Sequence, residues 1–125
     1  MLQRIQTVYL LIAGLLAFAF SFIQMDRILT FEIMSIPGVL VFVSGLDSLL
    51  AISLFSNRKL QLKLVYLAST VLLLAFGIYL YLNLSVDFYL HLEFYLLLLA
   101  FVNHLLALRG IKKDEELIRS SNRLR

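Results

Sequence analysis

Residues 62–82 read LKLVYLASTVLLLAFGIYLYL, a run whose only charge, Lys63, stands at its start. A helix rises about 1.5 Å per residue, so the run reaches roughly 30 Å. That is the thickness of a bilayer's hydrocarbon core, which takes about 20 apolar residues per crossing. Three companion runs, at residues 5–23, 36–55 and 88–108, are apolar over nearly the same length. The chain of 125 residues is 62% hydrophobic and 15% charged. Soluble domains carry about 45–50% and about 25%, so the solvent of this chain is lipid. The fold class is therefore an all-α membrane protein. The expected architecture is an antiparallel four-helix transmembrane bundle over residues 1–108, followed by a short amphipathic C-terminal cytoplasmic helix in a basic tail, 109–125. Four crossings leave no room for a large catalytic domain outside the membrane. The absence of cysteine excludes disulfides, thiolate nucleophiles and Cys-based metal sites.

Charge sets the orientation. Arg4 precedes the first run; Arg58, Lys59 and Lys63 surround the second gap; Arg109, Lys112, Lys113, Arg119, Arg123 and Arg125 follow the fourth. With four crossings these segments share one side, and the other side holds Arg27 alone of the eleven Lys and Arg residues. The positive-inside rule places both termini in the cytoplasm. Ala17-Phe18-Ala19 resembles a signal-peptide cleavage site, but the apolar run continues through Ile23 and exceeds a signal core, so the first run is read as a retained transmembrane helix. Ser35 ahead of Pro37 marks a helix start, with the serine oxygen as cap. Ile28 to Phe31 is expected to lie in the interface or to extend the second helix. Tyr79, Tyr81, Tyr89 and Tyr95 gather toward the outer boundary, and Tyr9 and Tyr66 toward the inner one, as aromatic anchors.

Polar residues inside the runs are the candidates for chemistry. Asp47 lies near the middle of the second run, where a carboxylate costs about 2.5–3.5 kcal/mol on insertion scales. Ser44 and Ser48 lie either side of it in sequence and suggest a polar stripe shared with Asp47. Leu46-Asp47-Ser48-Leu49-Leu50-Ala51-Ile52 recurs as Val102-Asn103-His104-Leu105-Leu106-Ala107-Leu108, as a duplicated helical hairpin would. Asn103 and His104 are then the counterparts and expected partners of Asp47. The main expectation for this set is polar glue between helices; proton or ion transport is the alternative. Asp87 and His91 share a helix face, but two ligands do not make a metal site, and no cofactor is expected. Gly14, Gly45 and Gly77 read as packing points.

The tail is ordered in its charges. Ile111, Leu117, Ile118 and Leu124 recur near a seven-residue period as a thin apolar stripe, and Glu115 and Arg119 are spaced for a helical ion pair. A basic amphipathic segment beside a membrane suits anionic lipid headgroups or a membrane or cytoplasmic protein partner. Asp114-Glu115-Glu116 interrupts the charge and weighs against nucleic acid. The segments Met1-Leu2-Gln3-Arg4-Ile5-Gln6-Thr7-Val8-Tyr9-Leu10, Asn57-Arg58-Lys59-Leu60-Gln61 and Arg109-Gly110-Ile111-Lys112-Lys113-Asp114-Glu115-Glu116-Leu117-Ile118-Arg119-Ser120, with Arg123-Leu124-Arg125, together resemble the small four-span Bacteroidota membrane proteins classed as domain of unknown function 4293. The resemblance runs the whole length and is most specific in the tail. It implies a bacterial inner-membrane protein with cytoplasmic termini and supplies no catalytic residues. The expected role is a non-enzymatic accessory or scaffold subunit that docks a partner or anionic lipid through the tail. The alternative is a small transporter or channel component using Asp47.

Overall fold

A computed structural model describes residues 2–84 and 91–124, with side chains from residue 5 onward except at 34. The start of the fourth run, Tyr89, the Asp87–His91 pair and Arg125 lie at least partly outside the described residues. Five α-helices follow in order: α1, Leu2–Ile23; α2, Met25–Leu29; α3, Ile36–Ser53; α4, Arg58–Leu82; and α5, Leu92–Arg123. A 3-10 turn, Ile33–Ser35, leads into α3. Four of the helices are long and apolar enough to cross a membrane.

The helix boundaries follow local chemistry. Asn57 caps α4 through its side-chain oxygen, which accepts the Leu60 N–H. Ser35 does stand at the cap of α3, with Pro37 in the first turn, but its hydroxyl makes no capping bond. It donates instead to the Glu32 carbonyl behind it. Residues 28–31 do not extend α3: Ile28 and Leu29 end α2, and the chain turns at Phe31, whose φ of 52° lies in the left-handed region. A bulky side chain rarely adopts that region. At its end α5 departs most from expectation. No break separates the fourth span from the tail, and the same helix runs for 32 residues, about 48 Å.

Packing fixes a ring. α1 packs on α3 and α5, and α4 packs on α3 and α5. Later residues of α1 meet earlier residues of α3: Gly14 lies against Gly45, whereas the Ser21 hydroxyl reaches the Gly38 carbonyl at 2.9 Å. The inward faces use small residues, among them Ala13, Ala17, Ser44, Gly45, Ala68, Ala100 and Ala107, while many Leu, Ile and Phe side chains face outward. In lipid this is the economical arrangement, because close backbone approach adds dispersion contacts and apolar surface need not be hidden. A Cβ on Gly45 would stand 3.2 Å from the Phe18 ring. Gly77, read from sequence as a packing point, is exposed and has nothing near it. Tyr79 is likewise no boundary anchor: it is buried, edge-on to Phe20 with ring centroids 5.8 Å apart.

The core divides in two. One cluster gathers Ala17, Phe20, Val41, Leu72, Ala75, Tyr79, Leu97 and Ala100. The other gathers Leu10, Ala51, Val65, Ala107, Leu108 and Ile111. Between the clusters lie the buried Ser44 and Ser48 of α3, Ala68 and Ser69 of α4, and His104 of α5.

Candidate functional site

That intermediate layer is built from Ser44 and Ser48 on α3, the Ala68 carbonyl on α4, and His104 on α5. Positions 44 and 48 are one turn apart, so both hydroxyls project from one face of α3. Ser44 Oγ donates to the Ala68 carbonyl at 3.1 Å and ties α3 to α4. Ser48 Oγ lies 2.8 Å from His104 Nε2, joining helices on opposite sides of the ring. His104 Nδ1 lies 2.9 Å from the Ala100 carbonyl one turn back. A carbonyl only accepts, so Nδ1 carries the proton, and in that neutral tautomer Nε2 accepts from the serine hydroxyl. Ser48 Oγ is also 2.8 Å from the Ser44 carbonyl, and its single proton serves one acceptor at a time. Ser44, Ser48 and His104 are all fully buried.

A serine hydroxyl on an imidazole nitrogen is the spacing of a nucleophile and its base. Chemistry would also need room for a reacting carbonyl within about 3 Å of both. Here both side chains are fully buried among packed helices, and the layer's bonds link α3 to α4 and to α5.

Asp47 does not join it. One residue from Ser48 is a turn of about 100° around the helix, and this puts Asp47 on the flank of α3, half-buried. The stripe expected from sequence is therefore Ser44 with Ser48, without Asp47. Asn103 is also half-buried and donates to the Leu99 carbonyl of its own helix at 2.8 Å. Of the two residues expected to partner Asp47, His104 bonds Ser48 instead, 56 residues away, and Asn103 stays outside the layer along with Asp47. The sequence reading missed a second polar bridge at the far end of the ring. There Gln24 Nε2 donates to Glu93 Oε2 at 2.8 Å, with Gln24 buried. The signal was present as a glutamine and a glutamate bordering two apolar runs.

At the opposite, basic end the tail keeps contact with the ring. The buried seam of α5 runs through His104, Ala107, Leu108, Ile111 and Asp114, so it passes the expected break at 109 by more than a turn. Of the sequence stripe only Ile111 is buried; Leu117, Ile118 and Leu124 are exposed. Gly110 sits so close to α1 that a Cβ there would meet Gln6 Cγ at 2.8 Å. Lys112 lies over the Tyr66 ring, 5.1 Å from its centroid, a cation–π contact between α5 and α4. Arg109 and Lys113 are exposed on the helix. Arg119 and Arg123 lie farther along and line a groove shared with the α3–α4 turn. Among the described residues no three acidic or histidine groups gather as metal ligands.

A family model described as domain of unknown function (DUF4293) matches residues 29–124. The match takes in α3, α4, α5 and the basic tail, and begins after the N-terminal segment noted above. No curated protein and no solved structure matches the chain.

Proposed function

We propose, for a chain that belongs to the DUF4293 family, a membrane-embedded accessory or scaffold subunit rather than an enzyme. In this reading an antiparallel four-helix bundle spans a bacterial inner membrane with both termini in the cytoplasm. It holds out a rigid basic helix that docks a protein partner or an anionic lipid surface. The observation that carries the reading is the continuity of α5. A hydrocarbon core takes about 30 Å of helix, and the 32 residues of α5 extend about 18 Å further. The extension stays braced by Ile111 and Asp114 while its exposed faces carry Arg109, Lys113, Arg119 and Arg123. A tail needed only for topology has no reason to be fixed in direction. The enclosure of Ser48 and His104 supports a structural use of the polar layer, and the flank position of Asp47 lends the transporter alternative no support.

The test is recovery of partners from mild-detergent extracts with and without residues 117–125. Truncation at 109 would remove the buried Ile111 and Asp114 and damage the bundle itself. Of the described residues, the shorter deletion removes exposed ones only. The proposal expects a specific protein or lipid class to be lost while the truncated chain still inserts; unchanged recovery contradicts it.

A further inference from the structure

The basic residues of the α3–α4 turn are explained by topology when read alone, yet in the structure they do not stand alone. The turn and the end of α5 face one another across a groove of about 870 Å³. Arg58 and Lys59 line one wall, Arg119 and Arg123 the other, with Asn57 and Asn122 between them as neutral hydrogen-bonding groups. Glu115 is the one carboxylate among the lining residues, against four cations. Two segments some sixty residues apart thus bring like charges around one space, where a bound anion lowers their mutual repulsion. Three of the cations are guanidinium groups, whose planar donors match phosphate oxygens in pairs. The groove also has apolar surface: Phe55 and Ile118 line it and are both exposed. Phe55 closes the second apolar run, two residues past the end of α3, so the turn side of the groove lies next to the membrane boundary.

We infer that this groove is a binding site for the phosphate headgroup of an anionic phospholipid, clamped between Arg58 and Lys59 of the turn and Arg119 and Arg123 of α5. The inference rests on the reading of the tail as a docking element. It goes further by naming the ligand and by making the turn half of the site. The apolar lining beside the cations selects a lipid over a free phosphate, since a soluble anion gains nothing from Phe55 and Ile118. Lipid bound here would also lock the end of α5 against the turn, fixing the angle at which the tail is presented.

The experiment uses the full-length protein in mild detergent and native mass spectrometry with phosphatidylglycerol and, separately, phosphatidylethanolamine. Phosphatidylglycerol is expected to bind in preference. The paired substitutions Arg58→Gln with Lys59→Gln, and Arg119→Gln with Arg123→Gln, should each weaken it about 30-fold. Arg109→Gln with Lys113→Gln removes the same charge outside the groove and should weaken it no more than about threefold at moderate salt. Inorganic phosphate at equal concentration should not displace the lipid. Equal losses in all three pairs, no preference between the lipids, or displacement by inorganic phosphate would each overturn the site. The turn pair leaves the tail intact and so separates the two ideas. Lipid binding that survives in the turn pair, beside a partner lost on removing residues 117–125, refutes the groove and keeps the docking tail.

Discussion

At the scale of single residues, the contact to explain is Ser48 with His104, because it crosses the ring where apolar packing would suffice. A hydrogen bond between membrane helices contributes modestly, since polar groups find other partners in the unfolded chain. A double-mutant cycle on Ser48→Ala and His104→Ala, followed by denaturant unfolding in detergent, should give a coupling of about 0.6–1.7 kcal/mol. Zero coupling would mean that each side chain is satisfied separately. Asp47 provides the contrast. On the flank of α3 and apart from the layer, it should tolerate Asp47→Leu with stability changed by no more than about 0.5 kcal/mol. A large loss in the same assay would show that a partner holds it. The sequence made these polar positions conspicuous but could not assign their directions. A helix apolar on all sides has no periodicity to say which face turns inward. Asp47 was accordingly grouped with serines that point elsewhere.

Among the elements, the lengths and number of the long helices were legible because hydropathy acts residue by residue and needs no partner. The end of α5 was not. Charge density rises sharply at Arg109, and composition alone places a boundary there, yet nothing in the backbone stops the helix. Gly110 costs about 1 kcal/mol as a helix residue and does not break it. Its close approach to Gln6 is a fact of tertiary packing that no local pattern contains. Gly110→Leu should therefore destabilise the bundle by about 1–3 kcal/mol through overpacking against α1. Gly77→Leu, at a position with no neighbour within 4 Å, should be neutral or slightly stabilising as a better helix former. Thermal unfolding in one detergent compares the two directly. Equal effects would deny that α5 is seated on α1 at this point. The facing of turn and tail across the groove was equally invisible in sequence, because it joins segments that only the ring brings together.

For the whole molecule, we propose a membrane bundle whose basic end, formed by the α3–α4 turn and the end of α5, is turned to the cytoplasm. The ring places the α3–α4 turn and the end of α5 together, while the loop between α1 and α3 belongs to the opposite end. In the proposed reading the positive-inside rule gives the basic end to the cytoplasm. Everything proposed for tail and groove depends on that assignment, since neither a cytoplasmic partner nor the anionic inner leaflet is reachable from the other face. The chain has no cysteine, so single cysteines can report on it without background. Ser56→Cys, in the turn, Ser121→Cys, near the end of α5, and Thr30→Cys, in the loop after α2, are all exposed positions. Labelling intact cells with a membrane-impermeant maleimide should modify Thr30→Cys alone, with Ser56→Cys and Ser121→Cys reacting only after lysis. Labelling of Ser56→Cys or Ser121→Cys from outside, or of these two on opposite sides, would contradict the account.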